Sequence, residues 1–237
     1  GGKSILYNQI FNEKNLDHFF FHDENRFWKF EIGKFEDFLD KDYLKGVDVI
    51  PIVKHFKVFS EVNEVAKEHS VDLIVMGSHG ASGLTEIFVG SNTERVVRHS
   101  SIPVLVVKNK PTKMDFNTVV FACDFSSEAV TAYINASKMF NSNTTSLLLL
   151  YVNLPGESFK SSTEMESTVK DFLFRADGNY DKLKDVNYVA DVTVEKGILS
   201  FAKKVNADLV AIPTHGRTGL AHFFEGSISE DLANHAN

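Results

Sequence analysis

Apolar and polar residues along this chain alternate in short blocks, and the clearest block lies between Val71 and Val107. Leu73, Ile74, Val75 and Met76 form an apolar run too short for a helix and rich enough in β-branching to predict a buried parallel strand. Gly77, Gly80 and Gly83 follow as a glycine loop able to take φ > 0 and approach a ligand closely. A helical pattern then runs through Ile87, Val96 and Val97, interrupted by Gly90-Ser91, and Ile102 to Val107 reads as a closing strand entered through Pro103. Upstream, the aromatics Phe27, Trp28, Phe30, Phe35 and Phe38 fall at helical intervals among acidic residues, which predicts an amphipathic helix from Phe27 to Leu44 packed on a sheet rather than a base-stacking surface. Val47 to Val53 reads as a strand and Val62 to His69 as a short helix.

The same order recurs. Ala207 to Asn237 repeats the first block at a constant separation of 136 positions, placing Asp208 on Asp72, Gly216 on Gly80, Gly226 on Gly90, Ser227 on Ser91 and His235 on His99. A repeat of this length predicts two like domains, residues 1–110 and 111–237, and not a solenoid of smaller units. In the second half Thr118 to Ala122, Ser146 to Val152, Val186 to Val194 and Leu209 to Ile212 read as strands. Ser127 to Phe140, Thr163 to Leu183 with a break near Asp177 and Gly178, and Ile198 to Val205 read as helices, and residues 153–162 as a loop. Asn109 to Asn117 is the linker. A second alignment, at 129 positions, sets Phe11 on Phe140 and Phe19 to Phe21 on Leu148 to Leu150. On it Ser4 to Asn12 becomes the end of a first helix, His18 to His22 the second strand, and seven extra residues fall in the second half between strands two and four. It leads to the expectation of about fifteen residues ahead of Gly1 carrying a first strand, and the repeat likewise leaves the second half without its last strand.

Composition narrows the function. The 237 residues carry a net charge of −7 with a pI near 5.7, against a broad nucleic-acid or anionic-membrane surface. The single Cys123 has no intramolecular disulfide partner, in keeping with a reducing compartment, and no apolar run approaches a membrane span or follows a charged leader. The expected location is the cytoplasm.

A strand, a glycine loop and a helix in that order suit a phosphate, because the free N–H groups and positive dipole end of the helix face an anion where glycines have removed side chains. The spacing is neither G-x-x-x-x-G-K-[ST] nor a dinucleotide G-x-G-x-x-G. It is G-x-x-G, nine residues, then G-S, carried by Gly77, Gly80, Gly90 and Ser91. With Ser78-His79-Gly80 before and Ile-Pro-Val-Leu-Val-Val after, the block resembles the universal stress protein family over its whole length.

That resemblance implies an α/β fold of two tandem Rossmann-like domains, each a parallel five-stranded sheet of order 3-2-1-4-5 flanked by helices. Ligands in such sheets bind beyond the carboxyl ends of strands one and four. It also implies an ATP or AMP site, with Mg²⁺ accompanying ATP. An aspartate after strand one, here Asp124, would contact the nucleoside, and Gly77, Gly80, Gly90, Ser91 and the N–H of Asn92 would hold the phosphates. Gly216, Gly226 and Ser227 are the second-half equivalents. Asp124-Phe125-Ser126 reads equally as a helix cap. Pro213 stands where the first half has Gly77 and donates no N–H, so the second half is expected to be degenerate and the first to bind. His79 and His215 form no metal set, Arg217 is matched by Ala81, and Glu94 with Arg95 to Arg98 reads as a solvated face, so no catalytic group stands out and binding is expected over catalysis. The competing reading is the same scaffold without nucleotide, acting through protein partners. The family also implies pairing of fifth strands, as a pseudo-dimer within the chain or between two copies.

Overall fold

A computed structural model describes residues 4–7, 40–52, 58–77, 91–107, 116–142 and 144–214. The chain divides into two compact units, Gly1–Thr85 with Gly90–Val107, and Glu86–Val89 with Lys108–Asn237.

In the second unit four parallel strands, β5 (Thr118–Ala122), β6 (Ser146–Asn153), β7 (Val186–Ala190) and β8 (Leu209–Ala211), lie in the order β7-β6-β5-β8. In the unit's own strand count this is 3-2-1-4. The central β5 is apolar on both faces because both are covered. Val119 and Phe121 face α3 (Val130–Met139) and α4 (Ser162–Asp177) in a core with Tyr133, Val169, Phe172 and Leu173. Val120 and Ala122 face α5 (Val194–Lys204) with Leu150, Ile198 and Phe201.

Local chemistry sets the ends of these elements. Ser161 and Glu164 form a reciprocal capping box at the start of α4, and Gly178, at φ 70°, ends it in the left-handed conformation that an L side chain resists. The buried Tyr133 hydroxyl donates to Asp177 Oδ2 at 2.7 Å, and burial, followed by that bond, pushes its pKa above the usual tyrosine range. Asp208 Oδ2 accepts from the N–H groups of both Asn117 and Thr118, each at 2.9 Å, and so fastens the start of β8 to the start of β5. α5 starts at Val194, earlier than Ile198, because Thr193 caps it by accepting from Lys196 N at 3.3 Å. β7 correspondingly ends at Ala190, short of Val194.

At Gly197 α5 lies close against β6. A Cβ there would stand 2.6 Å from Val152 Cγ1. Gly197→Ala should therefore lose about 1–3 kcal/mol through overpacking, despite alanine's better helix propensity, as measured by urea denaturation.

In the first unit β1 (Ser4–Tyr7) pairs in parallel with β2 (Val49–Ile52), and β3 (Ile74–Gly77) with β4 (Val104–Val107). Helices α1 (Val58–Glu68) and α2 (Ser91–His99) pack around Val62, Ala66, Ile74 and Val96.

Several expectations are corrected here. Ser4 to Tyr7 is a strand and not the end of a helix. Ile5 stands opposite Ile50 as Leu149 stands opposite Val186, and Ile50 and Val186 are equivalent in the 136-residue repeat, so Tyr7 answers to Tyr151. The 129-residue alignment therefore fails at the segment it was meant to place, and the count of seven extra second-half residues fails with it. His18 to His22 lies outside the described residues, and the pairing with β2 expected of it is made by β1. The helix expected to reach Leu44 does not: Lys41 is extended at φ −122°, and Asp42–Leu44 form a single 3₁₀ turn. The rest of that helix lies outside the described residues. β3 is buried on one face only, with Ile74 at 7% exposure beside Val75 at 59%.

Candidate functional site

Of the positions expected to hold a ligand, Gly77, Ser91, Asn92 and Asp124 fall among the described residues, and Gly80, Gly90, Gly216, Gly226 and Ser227 lie outside them. So do His79, His215 and Arg217.

In the first unit Gly77 is the last residue of β3, paired with Val107 in a regular ladder. Its backbone is that of a strand, so a positive φ is not what glycine provides here. Its carbonyl accepts the hydroxyl of Thr93 at 3.0 Å, and Thr93 is the third residue of α2 and 95% buried. This bond draws together the two ends of the glycine loop. The start of α2, with the backbone N–H groups of Ser91 and Asn92, is thereby held at the carboxyl end of β3, where a parallel sheet receives its ligand. Farther along α2, His99 Nδ1 lies 2.8 Å from the carbonyl of Arg95. Val96 is fully buried while Arg95 is exposed, so the helix turns one face inward and the other outward.

In the second unit β5 ends at Ala122 and the chain runs through Cys123, Asp124, Phe125 and Ser126 into a 3₁₀ turn, Ser127–Ala129, that leads into α3. Asp124 Oδ1 accepts the N–H of Ser126 at 3.0 Å, closing an Asx turn. The N-cap position belongs to Ser126, whose side chain makes no capping bond. The expected cap is thus a carboxylate that braces the turn ahead of the helix. Cys123 is half-buried against the aromatic core. Burial pushes its thiol pKa up, the N–H of Phe125 opposes this, and the Asp124 charge adds to the rise, which favours the protonated thiol.

β8 lies beside β5 with Phe121 opposite Ala211, so Ile212, Pro213 and Thr214 leave the sheet next to the Asp124 turn. Pro213 is buried there and offers no N–H at that end of the sheet. Among the described residues no group of three His, Cys, Asp or Glu side chains could hold a metal ion, and no helix is long and apolar enough to cross a membrane.

Two residues of this geometry escaped the sequence. Thr93 carries no motif of its own, although its position two residues after the Gly90-Ser91 pair could have marked it as facing the strand end. Nothing in the sequence marks Phe125, whose φ is +55°.

Parallel strands in the order β7-β6-β5-β8 with helices on both faces define a doubly wound α/β protein, a fold class in which ligands bind beyond the carboxyl ends of the strands where the strand order reverses. The universal stress protein family pattern matches twice, over residues 26–108 and 115–237. The chain belongs to that family, as a tandem member.

Among its relatives, universal stress protein MJ0577 of Methanocaldococcus jannaschii is 52% identical over 50 residues, or 21% of this chain and 31% of that protein. Universal stress protein YxiE of Bacillus subtilis is 36% identical over 92 residues, 39% of this chain and 62% of its own. The chain therefore spans less than two thirds of the length of either. A universal stress protein structure from Archaeoglobus fulgidus superposes with a TM-score of 0.60 at 22% identity, covering 92% of this chain and 78% of that one, a likeness of fold.

Proposed function

We propose that this chain is a cytoplasmic stress-response protein that binds an adenine nucleotide, ATP or AMP, in its first half and acts by binding or regulation rather than as an enzyme. The supporting observation is the Thr93–Gly77 bond, which holds the start of α2 against the end of β3 and so gathers the two ends of the G-x-x-G…G-S loop. Close backbone approach at Gly77 and the N–H groups of Gly77, Gly80, Gly90, Ser91 and Asn92 would receive the phosphates, with Mg²⁺ accompanying ATP as part of the ligand. In the second half Asp124, Gly216, Gly226 and Ser227 would form the equivalent site, weakened by Pro213.

The proposed domains are residues 1–110 and 111–237, a pseudo-dimer within one chain. Transfer of a phosphoryl group needs charge neutralisation and a group to orient water, and the sequence around the glycine loops offers no such shared set, Arg217 being matched by Ala81.

Thermal unfolding with and without ATP and Mg²⁺ tests the reading. At a hundred times its dissociation constant, bound nucleotide should add about 2.7 kcal/mol of stability. Unchanged melting at millimolar nucleotide would leave the scaffold acting through protein partners as the better account.

A further inference from the structure

Three residues other than glycine take a positive φ among those described: Ser70 at 51°, Asn206 at 50° and Phe125 at 55°. The first two are explained by position. Each follows a helix, α1 or α5, and ends it in the same way, with Val71 N–H donating to Ala66 O and Ala207 N–H to Ala202 O, both at 2.9 Å. Phe125 is different. It precedes a helix, and its bulky aromatic side chain makes the left-handed conformation costly. It also stands at the carboxyl end of the central strand, one residue after Asp124.

The packing explains how the conformation persists. The Phe125 ring is 3% exposed, stacks on Tyr151 with 5.6 Å between centroids and 11° between planes, and meets Phe172 edge-on at 5.1 Å. With the backbone left-handed, the ring lies in that core. The same turn brings the Ser126 N–H back onto the Asp124 carboxylate.

We propose that Phe125 is a positioning residue, whose buried ring holds an unfavourable backbone turn so that Asp124 is kept on the Ser126 amide at the crevice in the geometry that receives a nucleoside. This rests on the nucleotide reading of the crevice. Asp124 meets the ligand, and Phe125 acts only through it.

Replacement by alanine and by glycine separates this role from packing. Both remove the ring, but only glycine adopts the left-handed turn without penalty. The full chain is titrated with AMP while amide spectra follow Ser126, and hydrogen exchange reports the Ser126 amide. Phe125→Ala should weaken both Ser126 protection and AMP affinity about tenfold, whereas Phe125→Gly should keep both within about threefold of the parent. Asp124→Asn should weaken AMP to the same degree as Phe125→Ala, and the double variant no further. A glycine variant as impaired as the alanine variant, or an alanine variant that lowers only the unfolding midpoint and leaves Ser126 protected, would reduce Phe125 to packing and overturn the proposal. Failure of AMP to perturb the parent's Ser126 signal would instead remove the nucleotide reading of this crevice, and the exchange comparison of the two variants would still decide the role of Phe125.

Discussion

Phe172→Ala should cost the second unit about 3–5 kcal/mol, a large part of the 5–15 kcal/mol that holds a typical domain folded. Phe172 is 2% exposed on α4 and meets two other rings edge-on, Phe125 at 5.1 Å and Tyr133 at 5.3 Å. It therefore joins three elements: its own helix, the neighbouring α3, and the turn that follows the central strand. Truncation would lose the transfer free energy of the ring and open a cavity between parts fixed by a parallel sheet, which can collapse only partly. Urea denaturation combined with hydrogen exchange checks this, with protection expected to fall across β5 and β6. A loss below about 1 kcal/mol would mean that the neighbouring rings close over the gap, and that the core is softer than its edge-on contacts imply.

The same residues indicate how much of the structure could be read in advance. The apolar run from Thr118 to Ala122 dictates its strand by a local rule, burial on both faces, and stands where that rule puts it, whereas Ser161, whose capping box with Glu164 starts α4, falls in the stretch 153–162 that reads as a loop. Ser4 to Tyr7 failed because four residues carry no period. Ile5, Leu6 and Tyr7 suit a helix or a strand equally, and only the pairing with Val49–Ile52 decides between them. The exposure of Val75 was likewise illegible, since a β-branched residue is chosen for its backbone preference as readily as for burial. At the site, sequence supplied residue types and spacing. It could not supply the Thr93 hydroxyl on Gly77 or the left-handed turn at Phe125, because both are imposed by partners distant in the chain or by the core.

Gly77→Pro should abolish the stabilisation by ATP in the first half, which corresponds to roughly a hundredfold or greater loss of affinity at the nucleotide excess considered above. The substitution copies into the first half what the second half already has at Pro213. It removes the N–H of residue 77 and fixes φ near −65°, but it keeps the carbonyl that accepts the Thr93 hydroxyl. Met76 before it is already in a strand, the conformation that a following proline prefers. The cost to the fold is then confined to at most one ladder bond at the end of β3, about 0.5–1.5 kcal/mol, so loss of the ligand's effect would be separable from loss of structure in thermal unfolding with and without ATP. Pro213→Gly makes the reciprocal test, since restoring an N–H and a flexible φ beside Asp124 should raise nucleotide affinity in the second half. If Gly77→Pro binds ATP as the parent does, the amide of residue 77 and close backbone approach there are irrelevant to the phosphates. Pro213 would then no longer be a reason to regard the second half as the weaker one, and the difference between the halves would have to lie in the residues that follow the two strands.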